Sequence, residues 1–385
     1  MSKAPTIDSL TTVRGLAAVW VVLYHYQADI YSLFPITVTL KPFFNLGNLA
    51  VPLFFILSGF VLSYNYSNDF HTLEFRTCRK FILTRLARIY PVHFVTLLAV
   101  LLMVSAGKIL GVHSDESGHS ARDFVLNLFL VHTWVPNFRL NWNFPSWSIS
   151  SEWFAYLWFP LVAFVINRAT KRLWLILIAV GFFCLMQFQV VFGSLLIFRE
   201  LQVVVGTFLT GCAIFKLVQY GCFKRRPNYY LSISASALVF IVPFLLRDAV
   251  LLATLLALFS IIIYTLAGLG DKCHRLFVAP FLVFVGEVSY SLYMTHTLVQ
   301  RIAYKLVPTH TAIASNFVVR LGLLCAYAIL ISLATLATYY VIEKPSRKIL
   351  RSLIKKEGKW AHAHDEGIRP AMEMGVPQVI EGGNV

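Results

Sequence analysis

Two ionisable side chains stand in an otherwise apolar run near the start of the chain. They are Arg14 and His25, in VRGLAAVWVVLYHY (residues 13–26), eleven positions apart. Eleven steps of about 100° overshoot three full turns by only about 20°, so on a helix both side chains face the same way. The rise between them is about 16 Å. Alone, Arg14 reads as well as a snorkelling anchor, and His25 as well as a hydrogen-bonded bundle histidine. Sharing one face weighs against both bland readings. A polar stripe along an apolar helix implies an interior that holds water or a ligand.

Four further groups could do chemistry. In RLARIYPVHF, Arg85 and Arg88 are spaced i, i+3 and share a helix face. Paired guanidinium forks suit phosphate oxygens, although orientation in a membrane explains them too. In NFPSWSISSEWFAYLWFP, Ser148 and Glu152 are i, i+4, with Trp147 and Trp153 beside them. Glu152 would sit about 8 Å into a span, a costly depth for an unpaired carboxyl. The tryptophans fit an interfacial belt. In GEVSYSLYMTHTLVQ, Ser289, Tyr293 and His296 fall on one face at i, i+4, i+7, where interhelical hydrogen bonding is the plainer reading for Ser289 and Tyr290. In EKPSR, Glu343 closes an apolar run and Pro345 is expected to stop the helix.

The elements that must position these groups follow from composition. Of 385 residues 58% are hydrophobic and 13% charged, against about 25% charged in soluble domains. Apolar runs of roughly 18 to 22 residues recur, the length of a membrane-crossing helix. The expected fold is all-α: a polytopic transmembrane bundle of about ten spans. They lie near residues 12–31, 46–64, 88–107, 147–167, 173–193, 199–217, 228–246, 249–268, 280–304 and 318–342. The first run reads as a retained span, since bulky Tyr and Phe follow it instead of a small-x-small cleavage site. Residues 123–136 are apolar but short, as in an interfacial or re-entrant helix. AVPLFFILSGFVLSY carries no charge, and its small Ser58 and Gly59 suit close helix approach.

The net charge of +15 points to topology, not to nucleic acid, because the basic residues cluster between the apolar runs. With the N-terminus inside, 24 Lys and Arg fall on the cytoplasmic side and 9 outside, so both termini are expected in the cytoplasm. One transmembrane domain is expected over residues 1–355, with a flexible cytoplasmic tail at 356–385, where Gly and Pro replace hydrophobic periodicity. The six cysteines show no metal-binding spacing, and no metal is expected.

Jointly, the order of these motifs resembles the acyltransferase 3 family of integral membrane acyltransferases, over about residues 8 to 350. The resemblance rests on the Arg14-x10-His25 pair, LFFILSGF (residues 53–60), RLARIYP (85–91), WSISSEWFAYLWFP (147–160), SYSLYMTH (289–296) and EKP at Glu343. Glu287 departs from it, standing where a basic residue is common in similar sequences. A fused hydrolase-like domain, carried by some members, is not found in the chain.

The resemblance implies transfer of an acyl group, acetyl first, from cytoplasmic acyl-CoA to a hydroxyl of an extracytoplasmic glycan, with a lipid-linked glycan as the first expectation. It implies a bacterial inner-membrane location among membrane lipids. Arg85, Arg88 and Arg14 would meet the CoA phosphates. His25 would be the general base on the acceptor or a transient acyl carrier, alternatives that remain open. Glu152 would orient or charge-stabilise His25. Tyr293 or Ser148 would donate to the thioester oxyanion, and Ser148, Trp147 and His296 would meet substrate. The rival class is a transporter or flippase of a polysaccharide precursor, against which stands the lack of a detectable inverted repeat.

Overall fold

The computed structural model describes residues 7–110, 119–168, 178–185, 187–188, 199–221, 229–269, 275–306 and 317–354. Every regular element among the described residues is helical. The long helices are α1 (Asp8–Leu33), α2 (Ala50–Tyr66), α3 (Phe75–Ile109), α4 (Ser146–Arg168), α5 (Arg199–Gln219), α6 (Tyr229–Leu245), α7 (Asp248–Leu269), α8 (Pro280–Leu306) and α9 (Phe317–Thr338). Nine of the ten expected spans fall on these helices. The span at 173–193 lies largely outside the described residues, and the tail at 356–385 lies wholly outside them.

Among the described residues, six helical stretches are long and apolar enough to cross a membrane: Pro35–Phe70, Phe75–Ile109, Ser146–Arg168, Glu200–Gln219, Asp248–Leu269 and Phe317–Ile354. Large apolar side chains such as Leu102, Trp158, Val165, Phe240 and Leu333 face outward, the pattern of a surface solvated by lipid. The α1 and α8 helices stand apart from that group. They are long enough, at 26 and 27 residues, but they carry Arg14, His25 and Asp29, and Glu287, His296 and Arg301. The two helices richest in chemistry are therefore also among the least lipid-like.

Glycines set how closely the helices approach. A Cβ added at Gly59 of α2 would lie 2.0 Å from the Phe208 carbonyl oxygen of α5, and one at Gly211 of α5 would lie 1.9 Å from that of Ile56. The α1–α8 crossing is built alike: a Cβ at Gly286 would lie 1.9 Å from the Thr11 oxygen, and one at Gly15 would lie 2.6 Å from the Gly286 nitrogen. These obstacles are backbone atoms and cannot rotate away. Gly59→Ala or Gly211→Ala should cost about 1–3 kcal/mol through overpacking. Thermal unfolding in detergent would show this as a lowered midpoint, whereas a wild-type midpoint would contradict the close crossing.

Two helix ends differ from expectation. The α3 helix starts at Phe75, so Arg85 and Arg88, which stand at the start of the span expected over 88–107, lie well inside a 35-residue helix. The earlier turns hold because Phe81 and Ala87 bury one side of them. Pro345 does not stop the last helix. A π-helical turn spans Tyr339–Glu343, and α-helix resumes over residues 344–354. Pro345 thus sits in the first turn after a change of hydrogen-bond register, where a missing N–H costs little.

The apolar segment at 123–136 contains a short helix, Ala121–Leu128, whose first turn is capped by the Ser120 hydroxyl accepting from Asp123 N at 3.0 Å. It then turns through His132–Trp134. Protein groups satisfy its buried backbone: the Asn127 carbonyl lies 2.9 Å from His93 Nε2.

Candidate functional site

Three cavities follow one another along α1 and share walls. At the Arg14 end, a basic chamber is lined by Asp8, Arg14, Arg85, Arg88, Glu287, Arg347 and Arg351. Next, a middle chamber is lined by Arg14, Arg85 and Arg88 again, with Ser58, Ser148, Glu152, Tyr156 and Tyr293. Last, a histidine chamber holds His25, Trp147, Phe144, Glu200 and, once more, Tyr293. Arg14, Arg85 and Arg88 thus border the first two chambers, and Tyr293 the last two.

Arg14 is held against α8. Its Nε donates to Ser289 Oγ at 3.0 Å and to the Gly286 carbonyl at 3.1 Å, and its Nη2 donates to the same carbonyl at 2.7 Å. The close crossing at Gly15 and Gly286 lets so short a clasp form. Arg85 donates from Nη2 to the Tyr66 hydroxyl at 2.6 Å and lies over that ring at 4.8 Å. Its Nε is buried with no hydrogen-bond partner among the described residues. Arg88, one turn on, makes no hydrogen bond or ion pair among the described residues and lines both chambers. Tyr290 ties the same region together by donating from its hydroxyl to the Ile89 carbonyl of α3.

At the other end, His25 lies beside a second histidine. The His25 and His296 ring centroids are 5.0 Å apart, and Phe144 meets His25 edge-on at 5.2 Å. His296 Nδ1 lies 2.7 Å from the Tyr293 carbonyl oxygen. That oxygen can only accept, so Nδ1 carries the proton and Nε2 presents a lone pair. This Nε2 is buried with no hydrogen-bond partner among the described residues. Backbone bonds pin the pair: Gln300 Nε2 donates to the His25 carbonyl at 2.8 Å, and the Tyr26 hydroxyl donates to the His296 carbonyl at 2.9 Å.

Tyr293 stands between the middle and histidine chambers. Its hydroxyl lies 2.8 Å from Ser148 Oγ, which donates to the Pro145 carbonyl at 3.1 Å. Ser148 has one proton and gives it to Pro145, so Tyr293 donates to Ser148. An entering carbonyl oxygen can take either proton. Trp147 forms a wall of the histidine chamber.

Glu152 is placed otherwise than expected. Its Oε1 accepts from the Ser58 hydroxyl at 2.6 Å and the Tyr156 hydroxyl at 2.7 Å. It lines the middle chamber with the arginines, while His25 lines the next one. The expected role of orienting His25 is not the arrangement in the structure. The reason is axial: at i, i+4 Ser148 and Glu152 stack along one face, so the residue nearer the α4 N-terminus meets Tyr293 and the deeper one meets α2.

Several members of the site were not singled out from sequence. Ser58 looked like a packing residue inside an apolar run, yet it bonds Glu152. Tyr156 completes that carboxylate's shell. Glu200 joins His25 from the start of α5. Arg347 and Arg351 had a visible signal, an i, i+4 pair after Glu343, but it resembled an ordinary basic terminus. Among the described residues no group of three or more His, Cys, Asp or Glu is arranged to hold a metal.

Comparison with known proteins agrees with this architecture. The sequence model of a family described as "Acyltransferase domain" matches residues 7–339. The chain is 35% identical over 176 residues to acyltransferase MdmB of Streptomyces mycarofaciens, covering 44% of this chain and 42% of that protein. It is 25% identical over 333 residues to a Staphylococcus aureus (strain COL) protein provisionally named an O-acetyltransferase, covering 76% of this chain and 50% of that protein. The chain therefore spans about half the length of the curated relatives it matches or less. No solved structure matches it.

Proposed function

Because the chain belongs to the acyltransferase 3 family of acyltransferase domains, we propose that it moves an acyl group, acetyl first, from cytoplasmic acyl-CoA to a hydroxyl of an extracytoplasmic or lipid-linked glycan. The observation that carries this reading is the run of chambers with shared walls, from an arginine cluster at one end of α1 to a histidine pair about 16 Å further along the helix. Acyl-CoA is anionic at one end and reactive at the other, and the chambers have the same polarity.

The donor fits the residues present. Among the described residues Arg85 Nε lacks a partner and Arg88 makes no hydrogen bond or ion pair, so both have donors to give to phosphate oxygens. Arg14, clasped to α8, adds fixed charge at the passage. The pantetheine arm enters the middle chamber and brings the thioester carbonyl to Tyr293 and Ser148. The acceptor hydroxyl enters the histidine chamber. His25 takes its proton while the hydroxyl oxygen attacks the thioester carbon. The tetrahedral oxyanion takes the Tyr293 or Ser148 proton as a hydrogen bond. The C–S bond then breaks, the protonated His25 returns its proton to the leaving sulfur, and CoA leaves as the thiol, its phosphates held by the arginines. His296, with its lone pair at Nε2, stands beside the charged His25 ring as a neutral neighbour. The basic chamber opens to the cytoplasm in this reading, with both termini on that side in the cell membrane.

The reading is tested in cells that express the protein or an empty vector. Surface and lipid-linked glycans are compared by mass spectrometry before and after mild base. An acyl-sized mass increment that depends on the protein and disappears in base is the expected result. Identical glycan masses in the two strains would refute the glycan acceptor.

A further inference from the structure

The basic chamber holds more arginine than one phosphate group needs, and the arginines sort by position. Arg14, Arg85 and Arg88 line both the basic and the middle chamber. Arg347 and Arg351 line only the basic chamber. The first set therefore stands at the passage and the second further out. The second set also comes from a different element, the helical turns after the π-turn.

That element is built to aim them. Glu343, 1% exposed, closes the π-turn. Its Oε2 accepts from the Ser291 hydroxyl of α8 at 2.7 Å, and its Oε1 accepts from Arg347 Nη1 at 3.2 Å. The carboxylate thus fixes Arg347 relative to α8, the helix that also carries the Arg14 clasp. Arg351 follows at i+4, on the same face. The wider π-turn changes the register of all that follows. It lets α9, which faces outward along most of its length, turn two guanidinium groups inward at its end. Arg351 makes no hydrogen bond or ion pair among the described residues and is partly exposed to the chamber.

We propose that Arg347 and Arg351 bind the ribose 3′-phosphate of the donor, so that the protein selects free coenzyme A thioesters over donors that lack this phosphate. The inference rests on the acyl-CoA reading above. Along a coenzyme A thioester the order is acyl group, pantetheine, diphosphate, then adenosine with its 3′-phosphate. With the thioester in the middle chamber, the diphosphate falls at Arg14, Arg85 and Arg88. The next anionic group outward is the 3′-phosphate, and the next arginines outward are Arg347 and Arg351. Phosphopantetheine on a carrier protein has a single phosphodiester and would leave this second pair unmatched. Glu343 is a positioning residue here, acting through Arg347.

The test is equilibrium binding to the full chain in lipid nanodiscs, with coenzyme A and 3′-dephospho-coenzyme A as probes. The wild type should bind coenzyme A about 10- to 100-fold more tightly, as charge-assisted hydrogen bonds to one phosphate would give. In Arg347→Gln/Arg351→Gln the ratio should collapse toward one. Arg351→Gln alone keeps the Glu343–Arg347 pair and should give an intermediate ratio, which separates loss of recognition from loss of fold. Arg88→Gln should weaken both probes together and keep the ratio. Equal affinities in the wild type, or a wild-type ratio in the double variant, would overturn the proposal while leaving the acyl-CoA reading intact. A wild type that binds neither probe would overturn both.

Discussion

His25→Ala lowers acyl transfer by about 10²–10⁴-fold, the usual contribution of a positioned general base. The expectation follows from what the ring touches. It lines the histidine chamber beside His296 and Phe144, and its fixed bond to the bundle is through its backbone carbonyl, which Gln300 holds. Truncation therefore enlarges a chamber and leaves that bond in place. Arg14 stands about 16 Å away along α1 and the other donor-side arginines do not line the histidine chamber, so the effect should fall on kcat, with KM for the donor near its wild-type value. The measurement is label transfer from radioactive acetyl-CoA to membrane glycan by matched amounts of protein. Transfer at the wild-type rate would remove His25 from the mechanism. Acid-quenched wild-type protein separates the two roles: a retained acyl label that His25→Ala lacks means a carrier, and an unlabelled protein means a base.

Tyr293→Phe should lower kcat by about 10²–10³-fold, the cost of losing one oxyanion donor. The substitution is conservative in packing. The ring lies edge-on to Phe54 at 6.0 Å and 5.9 Å from His296, and phenylalanine keeps these contacts. What is lost is the hydroxyl on the wall between the two chambers, with its 2.8 Å bond to Ser148. The His296 tautomer is set by the Tyr293 backbone carbonyl and not by the hydroxyl, so the histidine pair stays in place. A single-turnover rate at saturating acetyl-CoA is the proper readout. If Tyr293→Phe raises KM and leaves that rate unchanged, the hydroxyl serves donor binding and the oxyanion role passes to Ser148.

Much of the site was legible because charge is costly in an apolar run. Arg14, His25 and Glu152 each announce themselves by sitting where a membrane helix should have none, and Arg85 and Arg88 by their i, i+3 spacing. Helical period then places Arg14 with His25, and Ser148 with Glu152, on single faces. What period cannot report is which neighbouring helix each face meets. Glu152 shows the limit. Its own helix permits a partner in the direction of His25, but α2 approaches through Gly59 and puts Ser58 at 2.6 Å instead. Ser58 in turn was hidden, since a serine in an apolar run is as consistent with close packing as with a carboxylate partner.

The sequence by itself determined the helical class, the apolar exterior and the identity of the polar groups that had to face inward. These follow from residue type and from a spacing of a few turns, and both are local. Tertiary structure decided the partnerships: His25 with His296, Glu152 with Ser58 and Tyr156, and Arg347 and Arg351 with the basic chamber. Each depends on the rotation and closest approach of helices far apart in the chain. Those are set by the Gly15–Gly286 and Gly59–Gly211 crossings and by the register change at Tyr339–Glu343. No period along one helix contains that information, because it is the backbone of another helix that sets the distance.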